Sequence, residues 1–171
     1  MSTETSDMPG PTKPVSQHEW LKNLLGEWTT SMTMVMGPDQ PEMHGEGTES
    51  VTSFGGLWAH AHGKSTMPDG DVMEYYMALG YDVTFGEYRG AWYANVSSHL
   101  WKYTGELSAD GRTMTLNCEG PDMMSDEPGK TAKYRDVHEL VDANTRTMTS
   151  FGEMPDGSWV QFNKTTYTRK A

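Results

Sequence analysis

Residues 16–36 read SQHEWLKNLLGEWTTSMTMVM, and the apolar period of this stretch changes at a single glycine. Trp20, Leu21, Leu24 and Leu25 recur at helical spacing and give one apolar stripe over about two turns. Ser16 and Glu19 have capping-box spacing, so a short helix over Gln17–Leu25 is expected to start there. Gly26 suits the helix end, because it takes a left-handed backbone at little steric cost. From Trp28 the period becomes two. Trp28, Thr30, Met32, Met34 and Met36 fall on one face of a strand, with Glu27, Thr29, Ser31 and Thr33 on the other. Such a strand lines a sheet with one wet face.

The same alternation continues down the chain. Strands are expected over Gly45–Ser53, Leu57–Thr66, Val72–Tyr81, Glu87–Val96, His99–Leu107, Thr113–Glu119, Thr131–Val141, Arg146–Glu153 and Ser158–Arg169. Gly55-Gly56 reads as a hairpin turn, and Pro68-Asp69-Gly70, Asp110-Gly111 and Asp156-Gly157 supply further turns. About ten strands with no helix between them predict an all-β, antiparallel, up-and-down barrel whose closure removes sheet edges. Residues 1–15 are rich in Ser, Thr, Pro and Gly and are expected to form a disordered tail, leaving 16–171 as one barrel domain.

Gly26-Glu27-Trp28 carries a resemblance as well. A G-x-W at the start of the first long strand, just after a short helix, resembles the lipocalin-like (calycin) β-barrels. The ordered set GTESVTSFGGLW, MALGYD, HLWKYTGEL, EGP, PGKTAKYRDV and the closing TYTRK resembles one family of bacterial proteins, catalogued only as a domain of unknown function, over about His18 to Lys170. The resemblance implies the barrel, and it brings no established activity. It further implies that Trp28 lies at the barrel floor under Arg169, or under Lys170 if the register differs. A guanidinium over an indole face contributes ~0.5–2 kcal/mol. The helix would plug that end.

Composition excludes several classes. A net charge of −11, from 24 acidic and 13 basic residues with no basic cluster, argues against nucleic acid and against an anionic membrane. No apolar run approaches the ~20 residues of a membrane span. The one cysteine, Cys118, excludes an internal disulfide and a cysteine-based zinc cluster, and its alternation with Met114 and Leu116 reads as a small buried side chain. The N-terminus lacks the pattern of a signal peptide, so the cytoplasm is the expected compartment. No nucleotide-phosphate loop and no nucleophile elbow is present.

Four groups could carry chemistry. His60 and His62 in WAHAH share one side of a strand at about 6–7 Å, a spacing at which both could bind one metal if His99, His138 or Glu119 supplied a third ligand. The bland alternative is a solvent-facing pair with Ala59 and Ala61 inside. His99, Trp101 and Tyr103 form an aromatic face with a polar handle, which suits a pocket wall or a cross-strand aromatic cluster. By analogy with small haem barrels, His99 or His138 could be an axial ligand. In KYRDVHE, Lys133, Arg135 and Glu139 oppose Tyr134, Asp136 and His138, and the sequence leaves open which set points inward. An inward Arg135 could bind a ligand carboxylate. Methionine, at 14 residues, is abundant on the apolar faces and offers an adaptable lining.

Together these features point to non-covalent binding of a small, largely apolar ligand inside the barrel. Met32, Met34, Met77, Trp92 and Trp101 would line the pocket, and His99, Tyr134 or Arg135 would orient a polar group. No catalytic residue and no particular cofactor is implied. Two other classes compete: a metal- or haem-dependent barrel enzyme using strand histidines, and an interaction module with a packed core. A homodimer through exposed strand faces is compatible with a barrel, though no large apolar stripe predicts it.

Overall fold

A computed structural model describes residues 10–67 and 69–171. Residues 1–9 of the expected tail, and Pro68 of one expected turn, lie outside the described residues; residues 10–15 are exposed and carry no regular structure. Ten strands follow a short cap helix: β1 (Gly26–Met34), β2 (Met43–Phe54), β3 (Trp58–Thr66), β4 (Val72–Asp82), β5 (Glu87–Ala94), β6 (Ser97–Leu107), β7 (Thr113–Pro121), β8 (Thr131–Leu140), β9 (Thr145–Glu153) and β10 (Trp159–Arg169). Each pairs antiparallel with its chain neighbours, and β1 pairs with β10 to close the barrel. The two-residue turn at Gly55-Gly56 has φ of 64° and 71°, the left-handed pair that lets β2 and β3 keep their twist through a tight hairpin.

The cap helix corrects one expectation. It is a 3₁₀ helix over Ser16–Leu24 whose N-cap is Val15, and Ser16 caps nothing. His18 Nδ1 accepts the Val15 N–H at 2.9 Å, while Glu19 pairs with Lys22 at 2.6 Å. His18 wins the capping role because its ring is already buried under the helix, against Tyr81. A 3₁₀ turn of three residues still collects Trp20, Leu21 and Leu24 on the barrel side.

That helix seals one end. Trp20 packs edge-on to Tyr88 and donates its indole N–H to Gly111 O at 2.9 Å. Tyr88 donates to Gln17 O at 2.7 Å, and Trp28 donates to Leu24 O at 2.9 Å. The fully buried side chains Trp28, Leu79, Met114 and Leu116 lie just above this plug. The opposite end is framed by the β1–β2, β3–β4, β5–β6, β7–β8 and β9–β10 connections. There the long acidic β7–β8 loop is tied to the rim by Tyr134, which donates to Pro121 O at 2.8 Å and accepts the Met123 N–H at 3.0 Å.

Candidate ligand chamber

At the floor, Gly26 has a φ of 120°, and a Cβ there would meet Arg169 Nη1 at 2.5 Å. The missing side chain lets Arg169 swing under the strand, donate to Leu25 O at 2.5 Å and place its guanidinium 4.2 Å from the centre of the Trp28 ring. Arg146 of β9 lies 4.6 Å from the same ring and 3.8 Å from the Tyr167 ring. Arg146 and Glu49, 3% and 5% exposed, form an ion pair, and Tyr75 donates to the other Glu49 oxygen at 2.6 Å. Burial, with the Glu49 charge beside it, pushes the Tyr75 hydroxyl well above the usual phenol range. The floor thus joins one anion, its cation and one phenol, with Arg146 Nε left without a hydrogen-bond partner among the described residues. The sequence reading did not single out Glu49 and Arg146. The parity that places Val51 and Met148 inward also places these two residues inward, and that was the available signal.

Above the floor, aromatic rings lie against the wall where a facing strand has glycine. The Tyr75 ring occupies the space where a Cβ on Gly63 would sit, with Cζ 2.1 Å away. Trp101 covers Gly120 in the same way (2.4 Å), and Tyr134 rests on its partner Gly152 at 3.5 Å. A ring folded flat against a glycine takes up less of the barrel's centre than one reaching across it, as in the aromatic covering of strand glycines. Among the inward side chains at mid-barrel, Met77, Trp92, Trp101, Cys118, Asp136 and Met148 keep partial exposure. Met77 is flanked on its own face by buried Tyr75 and Leu79, and Met148 by buried Arg146 and Ser150. Their exposed surface therefore looks into the barrel.

One polar row crosses this space. Asn163, Ser150 and Asp136 are direct cross-strand partners on β10, β9 and β8. Tyr103 donates to Asp136 Oδ2 at 2.6 Å, and the Ser150 hydroxyl also favours the ionised carboxylate. Burial outweighs both and raises the Asp136 carboxyl above its usual range. Next along β8, burial first and the Arg146 charge second depress His138 to about 3, so its imidazole is neutral. Burial, then Asp136, lifts the Cys118 thiol to about 12, which leaves it a packing group with little thiolate.

The structure places Met32, Met34, Met77, Trp92, His99, Trp101 and Tyr134 on inward positions. His99 sits at the rim, edge-on to Trp101, with Nε2 3.3 Å from Glu119 O. Arg135 is a correction: it faces outward, its guanidinium 3.7 Å from the centre of the Trp159 ring. Tyr134 and His138 are buried inside, so parity sends Arg135 to the outer wall, where Trp159 receives it. His60 and His62 are corrected similarly. They stack with Tyr76 on the outer face, His62 meets Glu74 at 2.5 Å, and no third donor completes a metal site among the described residues. Two clefts outside the strand cylinder, of about 260 Å³ beside Trp28, Arg112 and Arg169 and about 430 Å³ between the cap helix and the β2–β3 turn, adjoin none of the polar row.

The family described as "Protein of unknown function (DUF1579)" matches residues 13–169, which span the cap helix and all ten strands. The chain belongs to this family. Among solved structures, the DUF1579 barrel is similar to the S-type phycobiliprotein lyase CPES from Guillardia theta, with a TM-score of 0.60 and 12% identity over 92% of this chain and 94% of that one. A redesigned β-barrel, mFAP0, bound to DFHBI, gives a TM-score of 0.47 and 12% identity over 86% of this chain and 99% of that one. At such identity the lyase shares the fold. No curated protein matches the chain. No helix among the described residues is long and apolar enough to cross a membrane.

Proposed function

We infer that the barrel binds a small, largely apolar molecule non-covalently in the space above its charged floor. The observation that carries this reading is the partial exposure of inward, mid-strand Met77, Trp92, Trp101 and Met148. A packed core would leave these side chains as covered as Leu79 or Met114. Thioether and indole surfaces suit an aromatic or aliphatic body, because methionine adapts its shape and the rings offer broad faces. The fold shared with a phycobiliprotein lyase is in keeping with this reading. The closed floor and the cap helix leave the loop-framed end as the entrance.

The test is a neutral apolar probe, 2-naphthylmethanol, titrated into ¹⁵N- and methyl-labelled protein. The indole signals of Trp92 and Trp101 and the methyl signals of Met77 and Met148 should shift together in a saturable way, with the Trp28 indole unmoved. Met148→Trp, which fills the space from one wall, should abolish those shifts. Shifts confined to Trp58 and other outer residues would place the probe outside and defeat the reading.

A further inference from the structure

On the polar row, the buried side-chain atom left without a partner is an acceptor. Asn163 is 6% exposed and its Oδ1 has no partner, while its Nδ2 lies 3.5 Å from Ser150 Oγ. Asp136 receives Tyr103 on one oxygen, and no cation pairs with it among the described residues. The groups that face it are Tyr103 from β6, Leu116 and Cys118 from β7, Ser150 from β9, and Asn163 and Tyr167 from β10. His138 on its own strand is neutral, and Arg146 is committed to Glu49 between two rings. A carboxylate set in the barrel wall with no cation beside it and a buried amide oxygen with no donor are costly arrangements, which a cationic, donor-bearing ligand relieves.

We propose that the chamber selects ligands with a protonated amine on an apolar, aromatic-sized body, held by Asp136 and Asn163 and faced by the rings of Trp92, Trp101 and Tyr103. This inference rests on the chamber reading above and names its ligand class. The ammonium supplies three donors, enough for Asp136 Oδ1, Asn163 Oδ1 and one further acceptor such as Ser150. Ring faces stabilise the same charge from the side, and the overall charge of −11 draws cations toward the mouth. A ligand carboxylate would lie beside the Asp136 carboxylate, and Arg146, the cation beneath the row, is already paired with Glu49.

Three probes of one shape separate the ideas: 2-naphthylmethylamine, 2-naphthylmethanol and 2-naphthoate, measured by calorimetry at pH 7. The amine should bind roughly ten- to a hundredfold more tightly than the alcohol, and the carboxylate least tightly. Asp136→Asn keeps an oxygen acceptor for Tyr103, and it should remove most of the amine's advantage over the alcohol. Asn163→Ala should weaken the amine by several-fold on its own. Equal binding of amine and alcohol, or an amine preference that survives Asp136→Asn, overturns this inference and leaves the chamber reading standing. If none of the three probes binds, both fall.

Discussion

Glu49 and Arg146 form a buried ion pair whose strength can be measured by double-mutant cycle. Removing one member of such a pair costs about 3–5 kcal/mol, because the other is left charged in a poorly solvated place. Glu49→Gln is the milder change. The amide keeps the shape and an oxygen for the Tyr75 hydroxyl, so only the charge is lost, and a cost of about 3 kcal/mol is expected. Arg146→Met takes away more, since the guanidinium also lies against Trp28 and Tyr167. Those contacts bring its cost to about 4–5 kcal/mol. In the double variant no buried charge is stranded, and the loss should be about 2–4 kcal/mol, well under the sum of the singles.

Urea unfolding followed by tryptophan fluorescence reads these differences. With a slope of about 2 kcal/mol per molar urea, Glu49→Gln should lower the midpoint by roughly 1.5 M. The four slopes should agree, which shows that the change lies in native stability. A Glu49→Gln cost under about 1 kcal/mol would mean that the pair behaves as a solvated surface contact, and the closed-floor description would be wrong. Losses that add to within about 0.5 kcal/mol in the double variant would refute the coupling itself.

Two further perturbations follow from the interior. His138 is held neutral down to about pH 3, whereas an unfolded histidine takes a proton near pH 6.5; stability from this group is therefore present above pH 6.5 and is lost as pH falls toward 3, at up to about 1.4 kcal/mol per unit. His138→Gln should flatten the acid limb of urea midpoint against pH, and an unchanged limb would contradict the buried neutral ring. Asp136 works the other way, because its raised carboxyl favours the native state at low pH and loses that advantage as pH rises, so Asp136→Asn should steepen the same limb. At the wall, Gly63→Ala drives a methyl into the Tyr75 ring and should cost about 1–3 kcal/mol with loss of the Tyr75–Glu49 bond, while Gly152→Ala makes ordinary contact with Tyr134 and should cost under about 0.5 kcal/mol. Thermal midpoints that fall equally in the two alanine variants would remove the close-approach argument.

The barrel was legible because strand alternation and turn glycines are local signals, and ten of them in a row leave few topologies. Met77, Trp92 and Trp101 could be placed on one set of faces for the same reason, since apolar parity repeats every second residue. The KYRDVHE stretch resisted because both of its faces mix polar and apolar groups. Tyr134 and His138 could go inside only if the barrel tolerated Asp136 beside them, and Arg135 only if it left Trp159 uncovered outside. Local sequence holds no record of such a partner, which arrives from β10. His60 and His62 failed as a metal pair on the same ground. Their spacing was right, but Ala59 and Ala61 were the better inward residues beside Tyr75 and Met77, and closure then turned the histidines outward.

The polar interior follows from how the barrel is closed. A closed ten-strand barrel is wide enough that its middle must hold either large side chains or a guest. Tyr75, Trp101 and Tyr134 could have crossed the lumen and filled it. Glycines 63, 120 and 152 instead let them lie along the wall. The same sheet pairs Arg146 with Glu49 at the sealed end, and further up it leaves Asp136 without a cation among the described residues and Asn163 Oδ1 without a donor. Stability alone would favour apolar residues at both of those positions. An ion pair at the floor beneath a wall whose carboxylate has no cation beside it is the distribution expected when the missing charge comes with the ligand.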